Sequence, residues 1–286
     1  MTKGLNLKIA DIVFSILPAK DINRFSLDKE YIPFMTDEEP KIVLKTIRKT
    51  PSGIKHKKYI FSAAIWDYCQ VDGRHIFNFS YSSKNERPQR RLVLYSDFKT
   101  GEILSGNENG ALQNPFSYPL DQVLTITLLT KKQGILVHSC GFAYKNKGYL
   151  FIGSSGTGKS TMANIIMKNK DGTILSDDRI VVRKRHGHFY IYGTPWHGTA
   201  GFVSPEKTPL KGLFFLKKGA NNYLQKLSLS DTVSRLFKCS FPPFWNKKGI
   251  SSALKLCEDI AISIPSFEFI FTPDDRAFDS IRKEVD

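Results

Sequence analysis

The sequence predicts an α/β protein in two parts, a β-rich N-terminal domain over residues 1–110 and an α/β domain over residues 115–286. Short segments in which apolar and polar residues alternate fill the first third of the chain, and a turn-rich segment follows. An apolar strand, a glycine-rich loop and a helix come next in the sequence. The length of 286 residues suits one large domain or two unequal ones. A composition of 41% hydrophobic and 24% charged residues excludes a disordered, collagen-like or coiled-coil chain.

Charge and cysteine content narrow the class further. The net charge is +15, but the basic residues form small scattered groups, so nucleic acid is not the expected partner. No apolar stretch approaches the ~20 residues that cross a bilayer, which predicts no membrane span and a cytoplasmic location. The four cysteines are widely separated without a C-x-x-C pair, which favours reduced thiols over a disulfide framework or a zinc site.

The N-terminal region has the residue alternation of half-buried antiparallel strands. Asp72-Gly73 lies between two of these strands, where a two-residue type I′ turn requires positive φ. An antiparallel sheet with a free edge can add a peptide strand, so this domain is a candidate for substrate recognition. The predicted strands are Leu7–Leu17, Lys41–Ile47, Lys58–Val71, Arg74–Tyr81 and Arg91–Tyr95.

A change of composition separates the two parts. Residues 101–119 are rich in Gly, Asn, Ser and Pro, which predicts a linker and the domain boundary. Pro119 then opens a predicted helix that places Leu120 and Leu124 on one face.

The strongest motif is G-x-x-x-x-G-K-S from Gly153 to Ser160. Tyr149–Ile152 predicts a strand before this loop and Lys159–Lys168 predicts a helix after it, which is the context of a phosphate-binding loop. Backbone N–H groups would surround the phosphates of ATP, with Lys159 on the β- and γ-phosphates and the Ser160 hydroxyl on Mg²⁺. The expected nucleotide-binding residues here are Gly153, Ser154, Ser155, Gly156, Thr157, Gly158, Lys159, Ser160 and Thr161.

Two carboxylates follow the loop helix. Asp177 and Asp178 interrupt the apolar run Thr173–Val182, and only 17 residues lie between Lys159 and Asp177. The acids are therefore predicted to end a strand adjacent to the phosphate-loop strand. Phosphoryl transfer needs a metal ligand and a base for the incoming hydroxyl at that position.

These residues together resemble the catalytic domain of HPr kinase/phosphorylase, a bacterial protein serine kinase. The matching segments are Leu136-Val-His138, Gly153-Ser-Ser-Gly-Thr-Gly-Lys-Ser160 and Leu175-Ser-Asp-Asp-Arg-Ile180. The resemblance is strong from about residue 133 to residue 182 and loose to about residue 271. It implies a phosphate-loop core of the HPr kinase/phosphoenolpyruvate-carboxykinase type, ATP and Mg²⁺ as cofactors, and a homo-oligomer.

The resemblance also implies roles for individual residues. Asp178 would take the proton from an acceptor serine, and His138, on the strand before the loop, would lie close to the phosphates. Asp177 would be a metal-side or orienting carboxylate. The catalytic candidates are therefore Asp178, Lys159, His138 and Asp177, and the metal candidates are Ser160 and Asp177.

The later part of the chain departs from that family. The family's E-v-R-G-L-G segment and its arginine-rich phosphorylase segment have no match, so phosphorolysis and HPr as substrate are not expected. Tyr192-Gly-Thr-Pro-Trp-His-Gly198 instead resembles uncharacterised or peptide-modifying relatives of that kinase. Thr194-Pro195 would carry Trp196 and His197 to the rim of the phosphate site, where His197 binds the γ-phosphate or the metal. A rigid loop with a packed tryptophan is the alternative.

Four further elements are predicted towards the C-terminus from apolar periodicity and capping residues. They are a strand at Gly212–Lys217, a helix capped by Ser230 that ends at Lys238, a helix from Ser251 to Ala261, and a strand at Phe267–Phe271.

The expected activity is transfer of the ATP γ-phosphoryl group to a hydroxyl, a serine of a peptide or protein. The additional β domain favours a macromolecular acceptor, because a small molecule needs no such surface. Two alternatives stay open: a nucleotide-gated binding or adaptor module that hydrolyses ATP slowly, and a kinase of a small hydroxylated metabolite. Lys159, Ser160 and Asp178 are all present, which favours an enzyme over an adaptor.

Overall fold

The protein is a mixed α/β chain with two large sheets in two compact units, residues 1–128 and 129–286. The computed structural model describes residues 4–19, 26–53, 59–80, 88–106, 114–168, 172–274 and 276–285. The predicted strand ends at Lys58 and Tyr81 lie outside these residues. Among the helices described, none is both long and apolar enough to cross a bilayer.

The first unit is built on an eight-stranded sheet in the order β1-β2-β3-β8-β7-β6-β5-β4. Its strands are β1 (Leu5–Ile9), β2 (Ile12–Leu17), β3 (Ile42–Arg48), β4 (Tyr59–Ser62), β5 (Trp66–Val71), β6 (Arg74–Phe79), β7 (Arg90–Leu94) and β8 (Thr100–Ser105). Asp72 and Gly73 join β5 to β6 with φ of 49° and 74°, which confirms the predicted hairpin turn. The other long predictions each break in two, because Ala10-Asp11 and residues 63–65 interrupt their strands.

The predicted linker over residues 101–119 is wrong in two places. Its beginning is part of β8, which pairs with β7 and β3, and the Cβ that Gly101 lacks would lie 2.7 Å from the Val93 carbonyl oxygen. Its end is held by buried Arg90, whose guanidinium donates to the carbonyls of Pro115, Ser117 and Tyr118. Helix α1 (Leu120–Leu129) follows, so residues 114–128 belong to the first unit and the compact units divide later than residue 115.

The second unit has one large sheet with helices on both faces. Its strands are β9 (Gly134–Tyr144), β10 (Lys147–Ile152), β11 (Thr173–Ser176), β12 (Arg179–Arg185), β13 (His188–Tyr192), β14 (Lys207–Lys218), β15 (Tyr223–Lys226) and β16 (Ser266–Phe271). Its helices are α2 (Lys159–Lys168), α3 (Leu229–Lys238), α4 (Lys247–Ser263) and α5 (Arg276–Val285). Strands β10, β14 and β16 are parallel neighbours, whereas β9, β12 and β13 pair antiparallel.

Alternate side chains of the sheet form two separate cores. Phe142, Phe151 and Phe214 pack with α2 and α5, and this set defines the α2 face. Their neighbours on the same strands, such as Ile152 and Phe215, pack with α3 and α4, and this set defines the α3 face. The period of two along each strand separates the two sets.

Strand β9 lies between the strand that leads into the glycine-rich loop and the strand that ends in the two acids. Phe142 of β9 is opposite Tyr149 of β10 and also opposite Ile174 of β11, so β10 and β11 occupy its two edges. The prediction that the acids end a strand adjacent to β10 is therefore wrong. The reason is the tight β9–β10 hairpin, in which Lys145 and Asn146 have positive φ. Because β9 and β10 pair in this hairpin, β9 takes the edge of β10 that was predicted for the acid-bearing strand.

The C-terminal helices begin earlier than predicted. Ser228, rather than Ser230, caps α3 by accepting the Asp231 N–H at 3.1 Å. Asn246 caps α4, which therefore starts one turn before Ser251. Helix α5 was not predicted.

Candidate active site

A glycine-rich loop, residues 153–158, connects β10 to α2, and α2 begins and ends where the sequence predicts. Gly156 and Gly158 have φ of 81° and 105°, values that L side chains rarely adopt. The Cβ that Gly158 lacks would lie 2.6 Å from the ring of Phe271. The loop thus turns in a conformation that depends on glycine at both positions, and it ends at a helix N-terminus, whose first N–H groups have no partner within the helix.

Lys159, the first residue of α2, turns back over the loop and is 6% exposed. Its Nζ donates to the carbonyl oxygens of Gly153 at 2.9 Å and Ser154 at 3.0 Å. Burial lowers the pKa of Lys159, and the carboxylate of Asp178 opposes part of that effect. The loop therefore holds a partly desolvated cation at its centre.

Asp177 is 1% exposed and joins three parts of the chain. Its Oδ2 accepts from the Ser160 hydroxyl at 3.1 Å and from the Ala200 N–H at 2.9 Å. Its Oδ1 accepts from the Gly198 N–H at 2.9 Å. The two residues predicted as metal ligands, Ser160 and Asp177, thus lie in contact. The hydrogen bonds from 198 and 200 were not predicted.

Asp178, the second acid of the β11–β12 junction, is held by a histidine and an arginine. His138 Nε2 lies 2.8 Å from Asp178 Oδ1, and Arg179 Nη1 lies 3.2 Å from Asp178 Oδ2. Burial acts to raise the pKa of Asp178, but the hydrogen bond from His138 and the charge of Arg179 outweigh it, so the pKa is lowered. Asp178 is therefore an ionised carboxylate near neutral pH.

The lowered pKa of Asp178 predicts a pH-dependent contribution to stability. Because the folded-state pKa lies below the unfolded value of about 3.9, the contribution is complete above that value and is lost as the pH falls through the folded pKa. We expect the difference in unfolding free energy between the wild type and Asp178→Asn to shrink as the pH falls from about 5 to about 2. Urea titrations at each pH measure it, and a difference that stays constant contradicts the assignment.

The segment of residues 193–200 covers the acid pair. Ser176 donates to the Trp196 carbonyl at 2.9 Å, and the Thr194 hydroxyl donates to the Arg179 carbonyl at 2.6 Å. Trp196 is 5% exposed, in keeping with a packed tryptophan. His197 is half-buried, and its Nδ1 lies 2.8 Å from the carbonyl oxygen of the next residue. The segment is tied to the β11–β12 junction at several points.

Gly193, where this segment begins, has no room for a side chain. An added Cβ would collide with the Ser204 carbonyl oxygen and lie 2.8 Å from that of Leu175. We expect Gly193→Ala to lower the unfolding free energy by about 2–4 kcal/mol, because the crowding atoms are backbone. Urea denaturation measures it. Gly187→Ala, at φ 82° with open space, is the control, with an expected loss of about 1 kcal/mol; equal losses would contradict the steric explanation.

A cavity of about 360 Å³ opens beside the loop. Gly153, Ser154 and Thr157 of the loop and His138 of β9 line it. The lining also includes Arg235 and Lys238 of α3 and Phe241. None of these last three residues was predicted as part of the site, because they lie more than 50 positions from the glycine-rich loop and the acid pair.

Arg179 contacts both Asp178 and Phe241, which lines the cavity. Its guanidinium lies 4.9 Å from the centre of the Phe241 ring, and its buried Nε has no hydrogen-bond partner among the residues described. The sequence did place Arg179 in the motif with the acids, but it gave no role to the residue.

Comparisons with known proteins add little to this geometry. No protein-family model matches the chain, and the curated proteins contain no significant match. A solved structure of the Hpr(Ser) kinase/phosphatase from Coxiella burnetii aligns with 52% of this chain and 95% of that chain, at 10% identity and a TM-score of 0.33. A likeness at this level decides neither the fold nor the activity.

Proposed function

We propose that this protein is an ATP-dependent kinase that transfers the γ-phosphoryl group to a hydroxyl, a serine of a peptide or protein. The observation that carries the proposal is the 3.1 Å contact between Ser160 and Asp177. It brings the N-terminus of α2, with its loop and Lys159, next to a pair of carboxylates. Phosphoryl transfer depends on this combination of phosphate donors, a metal ligand and a proton acceptor.

In the proposed reaction the loop N–H groups and Lys159 hold the β- and γ-phosphates. Ser160 and Asp177 would hold Mg²⁺, which neutralises phosphate charge when bound. The acceptor oxygen forms a bond to the γ-phosphorus as the bond to the β-phosphate oxygen breaks, and ADP leaves. Asp178 takes the acceptor proton, and His138 orients the Asp178 carboxylate through the 2.8 Å contact.

One observation favours the alternative of a nucleotide-gated binding module. The hydrogen bond from His138 and the charge of Arg179 lower the pKa of Asp178, and a carboxylate of low pKa is a weak base. Such a site would bind ATP tightly and hydrolyse it slowly while the bound nucleotide controls a partner.

Transfer of label from γ-labelled ATP with Mg²⁺ to a panel of serine peptides and hydroxylated metabolites tests the proposal. We expect a serine peptide to be labelled, and Asp178→Asn to reduce the rate by about a hundredfold or more while a fluorescent ATP analogue still binds. Asp259→Asn is the matched control, because Asp259 is also paired with a basic side chain, Lys184 at 3.0 Å, but on α4.

Three outcomes separate the candidates. Labelling of a metabolite alone would identify a small-molecule kinase. Tight ATP binding with slow hydrolysis and no labelled acceptor would support the binding module. An equal loss of activity in Asp178→Asn and Asp259→Asn would remove Asp178 from the reaction.

A further inference from the structure

The cavity beside the loop lies where an acceptor must approach, given the proposed function. The loop leads into α2, whose N-terminus would hold the phosphates. The cavity adjoins that position, because Gly153, Ser154 and Thr157 of the loop line it together with Ile152 and Phe215 of the α3 face and Leu216 of the α2 face. It touches Gly153 and Ser154 at the start of the loop, and it touches His138, the partner of Asp178.

The size and lining of the cavity suit part of a peptide. A volume of about 360 Å³ is at the small end of ligand pockets, enough for a few side chains but too small for a folded domain. Phe215 and Phe241 supply apolar walls. The loop, His138 and Ser240 supply polar groups to the lining.

The charge of the cavity wall is positive. Arg235 and Lys238 line it, and no Asp or Glu does so among the residues described. Arg235 is already paired, because its Nη1 lies 2.6 Å from Glu268 Oε1. Lys238 is exposed at the end of α3 and forms no ion pair with any carboxylate in the described parts of the chain. An unbalanced cation therefore stands on the acceptor side of the site.

We propose that this cavity binds the acceptor segment of a peptide and that Lys238 selects a serine with an acidic side chain close to it in sequence. The proposal rests on the kinase function proposed above. A carboxylate of the acceptor meets Lys238 while the serine hydroxyl lies towards Asp178. Because Lys238 is exposed, its attraction acts mainly on encounter and on specificity, and it weakens as salt increases.

The test compares capped serine peptides that differ only in Asp, Ala or Lys at one flanking position at a time, so that no terminal charge contributes. We expect the wild type to prefer the best Asp peptide over its Lys counterpart by about tenfold in kcat/KM at low salt. Lys238→Glu reverses that order, and Lys238→Ala abolishes it. Lys248→Glu is the control, since it makes the same charge change at an exposed residue of α4 outside the cavity lining.

Separate measurements of the KM for ATP and for peptide keep the two proposals apart. A wild type that phosphorylates Asp, Ala and Lys peptides equally overturns the acceptor proposal and leaves the kinase function in place. An increase in the KM for ATP in Lys238→Glu, equal for every peptide, also overturns it, because Lys238 would then serve the nucleotide. A wild type that binds ATP and labels no peptide overturns the kinase function, and the acceptor proposal with it.

Discussion

Lys159→Met is expected to reduce phosphoryl transfer about a thousandfold, the loss typical of a group that stabilises charge in the transition state. The substitution removes the charge and keeps most of the side-chain volume. Lys159→Met would also leave the carbonyl oxygens of Gly153 and Ser154 without the Nζ donor, so we expect the unfolding free energy to fall by about 1–3 kcal/mol. Labelled ATP measures the first effect and urea denaturation the second.

Lys168→Met is the control for this experiment. Lys168 is exposed at the last turn of the same helix, so the control makes the same chemical change about ten residues away. Its activity should equal that of the wild type. A Lys159→Met protein that folds normally and keeps more than about a tenth of the activity would contradict the role of Lys159 in phosphate binding.

Gly158→Ala is expected to abolish ATP binding and to lower the unfolding free energy by about 2–4 kcal/mol. Two effects add at this position: a φ of 105° that disfavours an L side chain, and a Cβ placed 2.6 Å from the ring of Phe271. Phe271 is fully buried at the end of β16 and has no room to move away. Urea denaturation and titration with a fluorescent ATP analogue measure the two losses.

Gly156→Ala separates the backbone effect from the steric one. Gly156 has a φ of 81°, but nothing lies within 4 Å of an added Cβ. We expect this variant to lose only about 1 kcal/mol of stability. If both variants lose the same amount, the contact with Phe271 does not explain the requirement for glycine at residue 158.

Local features of the fold were predictable from the sequence, because their determinants are neighbours along the chain. The bounds of α2 match the predicted Lys159–Lys168, since a glycine-rich loop starts it and the apolar period defines its inner face. The Asp72-Gly73 turn was predictable for a similar reason: few residue pairs accept positive φ twice.

Features that depend on distant pairing were not predictable. The sequence of a strand does not determine which strand pairs with each of its edges. The position of β9 between β10 and β11 was therefore not predicted. Arg90 looks like any basic residue until its guanidinium meets the carbonyls of residues 115, 117 and 118. The candidate site divides in the same way: the acids and the loop have motifs, whereas Lys238 depends on the packing of α3 for its position.

The separation of the α2 face from the α3 face has an evolutionary consequence. Residues that support the glycine-rich loop belong to one packing cluster, and residues that support α3 and α4 belong to the other. A substitution on the inner side of α2 and one on the inner side of α4 share no packing cluster, so their effects on stability should be nearly additive. Residues on the α3 face can therefore accumulate substitutions of small effect during evolution. Selection on the residues of the α2 face then stays unchanged.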